Sequence, residues 1–426
     1  MPTPKKILVL YAKSGALGHK VIADNYAELL KLKGYNVVSG DAFELDDKFE
    51  VRGQNKFYFW MLAHAPWLWR FLYDYWLYLP GAKWFKDYVH PRHYPKTAEF
   101  VIAQKPDLII TTHPVATGVV NLLKREKLYQ GPLLTTFSDW HTQPFHIYKY
   151  VDTYLVVTEE EKVQVLRNGG RAHNVVVPGM LLAQKYYHSP TKSEARKKLN
   201  LPQDKKIILV MGGGLGWEIE KTLENLPPFK LPTVLVVISG TEERKKEIEE
   251  KVVHYESLIN KIAAMPLPSK ILDKVEETFP NLPINIRAKA AKKIEWRVES
   301  FVEPSLYFAA ADLIISKPGG LTTSQAFLVK LPFLVTKPLP GHEDKNTHFL
   351  LQKKAVILAD EDNFANQVQK LISDEKLLAD LAESAHRLAP VHAPEIVLDT
   401  IEKTLYSGVG KPVDDTNIRM ATNDTN

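Results

Sequence analysis

The chain has 426 residues, of which 45% are hydrophobic and 25% charged, with no cysteine and a formal net charge of +5. This length suits two domains, and the lack of cysteine excludes a disulfide-built fold and a thiolate metal site. No segment has the roughly 20 apolar residues of a membrane span, and no apolar leader is present, so we expect a cytoplasmic protein. The excess positive charge falls in residues 1–180, which hold 22 Lys and Arg against 17 Asp and Glu and therefore favour an anionic partner.

Strands alternate with helices through the first half, which is the pattern of a parallel sheet. The predicted strands cover residues 6–11, 34–38, 107–112, 133–137, 151–157 and 174–177. A glycine-containing loop follows the first strand and leads into a helix that ends near Lys33. We interpret the polar stretch 185–205 as a linker with a short helix.

The second half repeats this pattern, so the fold class is predicted to be α/β with two Rossmann-like domains and a cleft between them. Its predicted strands begin at Lys206 and cover residues 233–239, 311–316 and 332–336. We predict an N-terminal domain of residues 1–182, a C-terminal domain of residues 183–406 and a flexible polar tail of residues 407–426.

A Gly-Gly turn separates the apolar run that ends at Ser316 from a predicted helix that begins with hydroxyl side chains. Backbone N–H groups at such a helix start bind phosphate well. The next predicted strand ends in a Pro/Gly loop with acid and amide side chains, residues 337–346. Because ligands of α/β sheets lie at the carboxyl ends of strands, these two loops predict a diphosphate cradle beside a polar pocket, which suits a nucleotide-sugar.

Three side chains at strand ends of the first half are candidates for acid–base chemistry. His19 lies with Gly18 at the start of the first helix, His113 follows a strand directly, and Asp139 follows another. His19 is equally well explained as a capping or solvent-facing residue. An Asp near several His predicts either a metal site or an acid–base set, but no pair has the spacing of a helical zinc motif. We interpret His141 and His146 as polar loop residues.

Residues 57–94 contain 15 aromatic side chains, including five of the eight tryptophans, interleaved with basic residues. Trp and Tyr favour the membrane interface, and basic side chains favour anionic headgroups. The alternatives are a buried aromatic helix pair and, more weakly, a nucleic-acid surface, which no recognised motif supports. We favour the membrane interface and expect no nucleic-acid partner. The candidate acceptor and membrane residues are Trp67, Trp69, Arg70, Tyr75 and Trp76, with Gly18 and His113.

Taken together, these segments resemble the UDP-sugar-dependent diacylglycerol glycosyltransferases, which include the monogalactosyldiacylglycerol synthases and the processive diacylglycerol glucosyltransferases. The resemblance rests on the glycine–histidine loop, the Asp139 region, Met211–Gly214, Phe301–Val302, Ser316–Thr323 and Pro340–Asn346. It implies a GT-B fold and an inverting hexosyltransferase that uses neither a metal nor another cofactor. It also implies a UDP-sugar donor, a diacylglycerol-type acceptor and peripheral association with an anionic membrane surface.

The resemblance also implies a role for each matching residue. His19 is the expected general base, and Asp139 orients or assists it. Phe301 and the backbone of Val302 hold the uracil, Gly319, Gly320, Leu321 and Thr322 cradle the diphosphate, and Glu343 and Asn346 contact the sugar. The remaining expected donor residues are Gly213, Gly214, Ser316, Gln325, Gly341 and His342.

Three departures from the family pattern bear on the donor. Gln325 stands where the family has a Glu that grips the ribose, and His342 stands where a Gln contacts the sugar. Residues 243–295 are longer and more charged than the usual connection, and we interpret them as a helical insertion. Two alternative functions follow. One is transfer from UDP-N-acetylglucosamine to a lipid-linked saccharide, and the other is non-catalytic binding of a nucleotide-sugar at a membrane.

Overall fold

The structure is a computed structural model in which two parallel six-stranded sheets are each covered by helices. It describes residues 4–13, 17–46, 53, 57, 60, 61, 64–75, 79–142, 144–212, 219–226, 229, 231–263 and 294–406. The predicted tail 407–426 and most of the predicted insertion lie outside these residues.

The first sheet has the strand order β2-β1-β3-β4-β5-β6. Its strands are β1 (Lys6–Tyr11), β2 (Asn36–Asp41), β3 (Leu108–Thr111), β4 (Leu133–Thr136), β5 (Thr153–Leu155) and β6 (Val175–Val176). The central strands are almost continuously apolar because helices cover both faces of a parallel sheet. Strand β1 pairs with β3 in the register Ile7 to Leu108. The order of strands changes direction between β1 and β3, so a crevice lies at their carboxyl ends.

The second sheet has the order β12-β11-β10-β7-β8-β9. Its strands are β7 (Lys206–Met211), β8 (Thr233–Ile238), β9 (Ile294–Glu299), β10 (Leu313–Ser316), β11 (Phe333–Val335) and β12 (Ile357–Leu358). Counted from β7, this is the 3-2-1-4-5-6 order of dinucleotide-binding folds, with its switch point between β7 and β10. The turn before the helix that follows β10 therefore lies at the crevice of this sheet.

Helices connect the strands of both sheets. In the N-terminal domain they are α1 (Gly18–Leu32), α2 (Ala42–Leu45), α3 (Pro66–Asp74), α4 (Pro80–Trp84), α5 (Pro95–Gln104), α6 (Pro114–Arg125) and α7 (Glu159–Arg167). In the C-terminal domain they are α8 (Gln184–Tyr187), α9 (Lys192–Lys198), α10 (Ile219–Glu224), α11 (Glu242–Ala263), α12 (Ser305–Ala310), α13 (Gly320–Leu328), α14 (His342–Gln352), α15 (Phe364–Ser373), α16 (Glu375–His386) and α17 (Ala393–Tyr406). Among the described residues, no helix has the length and apolar character needed to cross a membrane.

Several helix starts are explained by capping side chains. The Asp41 carboxylate accepts hydrogen bonds from the first N–H groups of α2, and Thr158 does the same for α7. Thr191 and Glu194 form a reciprocal capping box at the start of α9, inside the polar stretch predicted as a linker with a short helix.

One apolar cluster joins the two domains. It includes Leu30 of α1 in the N-terminal domain, Phe327 of α13 in the C-terminal domain, and Ile401 of α17 near the end of the chain. The two domains therefore share buried surface, and the division at residue 182 stays a prediction. The α/β class with two parallel sheets is confirmed, but β9 and β12 were not predicted from the sequence. Strand β9 includes residues 294 and 295, which we had interpreted as part of a helical insertion.

Candidate active site

Two histidines meet at the switch point of the first sheet. His19 lies on the first turn of α1, which follows β1, and His113 precedes α6, which follows β3. Their ring centroids are 4.6 Å apart in an edge-to-face arrangement. The structure thus brings together two side chains that are 94 positions apart in the sequence, in the crevice where ligands of such sheets bind.

The hydrogen bonds of His19 determine which ring nitrogen carries its proton. Nδ1 donates to the carbonyl oxygen of Thr112 at 2.5 Å, and the Thr112 hydroxyl donates to the His19 carbonyl at 3.0 Å. With Nδ1 protonated, Nε2 of the neutral ring is the acceptor. Burial lowers the pKa of His19 below its ordinary value, although the nearby charge of Asp139 opposes this effect. The imidazole is therefore neutral at physiological pH and able to accept a proton.

Burial lowers the pKa of His113 and of further histidines in the N-terminal domain. His113 accepts a hydrogen bond at Nδ1 from the Val115 N–H, and burial holds its pKa well below the ordinary value. Burial also lowers the pKa of His146 to about 3 and that of His90 to about 4. His146 stacks on Phe137 with a centroid distance of 5.2 Å, and burial lowers the pKa of His141 as well. His141 and His146 lie in the loop between β4 and β5 and are half-buried, so their interpretation as polar loop residues stays a prediction.

Asp139 lies between the two domains. One carboxylate oxygen accepts a hydrogen bond from Nδ2 of Asn346 at 2.8 Å, and the other accepts from the Ser138 hydroxyl at 3.2 Å. Nδ2 of Asn346 also donates to the Pro318 carbonyl at 3.1 Å, and its Oδ1 accepts from the Trp140 N–H at 2.9 Å. Asn346 is completely buried, and its hydrogen bonds to Asp139 and Trp140 join the loop after β4 to the C-terminal domain. Its role as a sugar contact stays a prediction.

Trp140 packs from this loop into the C-terminal domain. Its indole N–H donates to the Thr323 hydroxyl at 2.8 Å, and its ring stacks on Phe349 at a centroid distance of 5.8 Å. The ring also lies 5.7 Å from Phe327, and the side chain is 1% exposed. We call the contact of residues 138–140 with α13 and α14 the interdomain seam.

Gly320 lies at the tightest point of the seam. A Cβ atom at this position would lie 2.0 Å from the Ser138 carbonyl oxygen and 2.9 Å from Cα of Asp139. At Gly319, the N-cap of α13, the nearest atom to such a Cβ is the Thr322 hydroxyl oxygen at 3.9 Å. Of these two glycines, Gly320 is therefore the one that requires glycine for the approach of the other domain, and its predicted contact with a diphosphate remains untested.

Buried polar side chains at the end of β10 are suited to binding a charged ligand. The Ser316 hydroxyl is buried and has no hydrogen-bond partner within the described part of the chain. Lys317, the next residue, is also buried. Burial raises the pKa of Glu343, while His342 and Lys317 nearby oppose that rise. The Glu343 carboxylate accepts a hydrogen bond from the Leu339 N–H at 2.6 Å.

The remaining predicted donor residues that the structure describes follow β9 or lie on α13. Phe301 follows β9 and is 69% exposed, whereas Val302 packs against the shared apolar cluster. Gln325 is buried on α13, and Leu321 and Thr322 are on the first turn of that helix. Gly213, Gly214 and Trp76 lie outside the described residues. No group of three or more His, Asp or Glu among the described residues has an arrangement that would hold a metal ion.

Helix α3 lies against the loop that precedes α14 and against the start of α14. Trp67 and Tyr75 are exposed, whereas Trp69 lies against Gly341, where an added Cβ would be 2.9 Å from its indole nitrogen. Arg70 forms an ion pair with Asp344 at 3.0 Å. The residues grouped as membrane candidates therefore divide between solvent and the loop that precedes α14.

Sequence reasoning missed Trp140, Lys317 and Glu161. Glu161 is buried and accepts hydrogen bonds from the Thr142 hydroxyl at 2.7 Å and the Val157 N–H at 2.6 Å. Burial raises its pKa to about 8. It anchors the loop that carries Asp139 and Trp140. Two features of the sequence could have indicated Trp140 and Lys317. One is a tryptophan directly after a strand-end Asp, and the other is a lysine inside the Ser-Lys-Pro-Gly-Gly turn.

Comparisons with known proteins find a matching family model and similar relatives. The family described as monogalactosyldiacylglycerol (MGDG) synthase matches residues 19–181. Processive diacylglycerol beta-glucosyltransferase of Bacillus licheniformis is 25% identical over 409 residues, 95% of this chain and 96% of that protein. The protein of the same name from Bacillus subtilis is 24% identical over 407 residues, 95% of this chain and 96% of its own length.

Solved structures share the fold at lower identity. Acinetobacter baumannii MurG has a TM-score of 0.56 and 18% identity, covering 94% of this chain and 100% of its own. Anabaena Alr3699/HepE in complex with UDP has a TM-score of 0.51 and 15% identity, covering 93% of this chain and 100% of its own. The GT-B fold and the resemblance to the diacylglycerol glycosyltransferases are confirmed, and this chain is a hexosyltransferase.

Proposed function

We propose that the protein transfers a hexose from a UDP-sugar to diacylglycerol or a related lipid at a membrane surface, with inversion at the anomeric carbon and without a metal ion. Two relatives over 95% of this chain are named processive diacylglycerol beta-glucosyltransferases, and a structure of the same fold contains UDP. The observation that carries the proposal is the neutral, oriented imidazole of His19 in the crevice of the N-terminal domain.

The hydrogen bond from Nδ1 to Thr112 supports His19 as the general base. In the proposed step, Nε2 takes the proton of the acceptor hydroxyl while its oxygen attacks the anomeric carbon. The bond from that carbon to the diphosphate breaks, and UDP leaves with the electron pair. Attack from the face opposite the leaving group inverts the configuration. Asp139 stabilises the imidazolium that forms, since its charge raises the pKa of His19.

The features around β10 support stabilisation of the leaving group. A helix start presents backbone N–H groups and a partial positive charge to an anion, and α13 begins at the switch point of its sheet. Lys317 adds a formal positive charge at the same strand end. These groups supply the charge stabilisation that a divalent cation supplies elsewhere. The exposed ring of Phe301 is suitable for stacking on uracil.

The surface near α3 supports a membrane-bound acceptor. Large apolar side chains that are exposed between residues 57 and 88 are Phe57, Trp60, Trp67, Phe71, Tyr75, Leu79, Trp84, Phe85 and Tyr88. A concentration of exposed aromatic side chains is uncommon on a soluble monomer and is typical of an interaction surface. Aromatic rings with basic neighbours match the composition of membrane-interface segments.

The test is release of UDP in the presence of vesicles that contain diacylglycerol, with UDP-glucose, UDP-galactose and UDP-N-acetylglucosamine compared as donors. We expect turnover with a hexose donor, unchanged by EDTA, and a product of opposite anomeric configuration by NMR. His19→Ala should abolish transfer but leave UDP affinity nearly unchanged, because His19 lies in the other domain. His173→Ala, which removes an exposed histidine, is the matched control. Binding of vesicles and UDP without any turnover would contradict the proposal.

A further inference from the structure

Helix α3 has two faces with different surroundings. Trp67, Phe71 and Tyr75 follow at intervals of four residues and are 71%, 54% and 65% exposed. This spacing puts them on one side of the helix and its C-terminal end. Trp69 and Tyr73 lie on another side, with ring centroids 5.9 Å apart, and Tyr73 is buried. One short helix therefore presents an apolar outer face and a packed inner face.

The inner face lies directly on the loop that precedes α14, residues 339–341, which we call the donor loop. Gly341 has φ of +94°, and a Cβ there would lie 2.9 Å from the Trp69 indole nitrogen and 3.2 Å from Cδ2 of Tyr73. A side chain at this position would therefore be both strained and obstructed. The backbone of the donor loop is in close contact with α3.

Two ion pairs of opposite polarity join α3 to the start of α14. Arg70 of α3 pairs with Asp344 at 3.0 Å, and Lys345 pairs with Asp74 of α3 at 3.0 Å. Each element contributes one acid and one base, so a relative shift strains both pairs. Asp344 and Lys345 lie within the first turn of α14, next to Glu343 and Asn346.

We propose that α3 couples membrane docking to nucleotide binding, so that an anionic lipid surface on its outer face tightens binding at the donor loop. The inference rests on the proposed function for both ligands and adds the coupling between them. A helix immobilised at a lipid surface holds the donor loop through its inner face, which lowers the entropy lost when a nucleotide orders that loop. Linkage requires the converse, so UDP must tighten vesicle binding by the same factor.

The experiment measures UDP affinity by calorimetry with and without vesicles of phosphatidylcholine and phosphatidylglycerol, and vesicle affinity by sedimentation with and without UDP. We expect vesicles to tighten UDP binding about fivefold or more, and UDP to tighten vesicle binding equally. Asp74→Lys and Lys345→Asp should each bring the factor close to one, and the double variant should restore it. Neither residue belongs to the predicted catalytic or donor-binding set.

Glu160→Lys and Lys353→Glu form the matched control, because that ion pair also joins the two domains but lies away from α3. These variants should keep the wild-type coupling factor. Binding of both ligands without mutual effect, or an equal loss of coupling in the control variants, would overturn the inference alone. Failure of wild-type protein to bind either ligand would instead refute the proposed function and, with it, the coupling.

Discussion

Gly320→Ala tests whether the interdomain seam is as tight as its geometry indicates. The new Cβ would lie 2.0 Å from the Ser138 carbonyl oxygen, whereas real Cβ contacts stay above 3.0 Å, so the backbones must separate by at least 3.0 − 2.0 = 1.0 Å. Neither obstructing atom belongs to a side chain that could rotate away. A shift of this size stretches the bond between Asn346 and Asp139, now 2.8 Å, together with both Trp140 hydrogen bonds.

Three weakened hydrogen bonds of about 1 kcal/mol each lower the free energy of unfolding by about 3 kcal/mol. Misplacement of reacting groups by about 1 Å costs about 100-fold in rate, so we expect a comparable loss in kcat with diacylglycerol vesicles. Gly319→Ala is the matched control, since its Cβ has 3.9 Å of space and its backbone suits alanine. Calorimetric unfolding and kcat should separate the two variants. If Gly320→Ala equals Gly319→Ala in both measurements, the reasoning about the seam is wrong.

Three further predictions follow from the same site. Trp140→Ala should lower the free energy of unfolding in urea by about 3–5 kcal/mol, because it leaves a cavity between Phe327 and Phe349, whereas Trp140→Phe should cost clearly less. The pKa of His19 is lowered, so kcat/KM should stay constant through neutral pH and fall only below about 6.5, and an acidic limb above that value would contradict the assignment. Burial raises the pKa of Glu161 from 4.5 to about 8, so the folded chain retains a proton that the unfolded chain releases, and stability should fall by up to about 5 kcal/mol as pH rises through this interval. Glu161→Gln should flatten that dependence in urea unfolding between pH 5 and 9, and parallel curves for the two proteins would count against it.

Much of the fold followed from local patterns in the sequence. Continuous apolar runs such as Lys6–Tyr11 and Thr233–Ile238 are typical of strands buried on both faces, and both are strands. Strand β9 was missed because its residues alternate apolar and charged beside a charged segment, and it lies at the edge of its sheet. Strand β12 has only two residues and leaves almost no periodic signal.

The site was predictable where a strand end determines position. His19, His113 and Asp139 all follow strands of one sheet, and the rule for parallel sheets brings such residues to one edge. The partner of Asp139 was not predictable, because Asn346 is 207 residues away and reaches it only through the packing of two domains. The burial of Trp140 has the same origin, since nothing in the surrounding polar loop indicates an apolar partner.

The interdomain seam and the ion pairs of α3 differ in how much free energy they contribute. This difference is compatible with a rigid seam beside a contact of α3 that can change. The seam rests on a buried tryptophan whose loss costs about 3–5 kcal/mol, and on hydrogen bonds enclosed between the domains. The ion pairs of α3 are partly exposed, and such pairs are typically worth about 0.2–1 kcal/mol each. Because the seam contributes more free energy than the α3 ion pairs, the seam determines how the domains are oriented. Under the proposed coupling, the α3 contacts would be weak enough for a lipid surface to alter them, and strong enough to change nucleotide affinity severalfold without separating the domains.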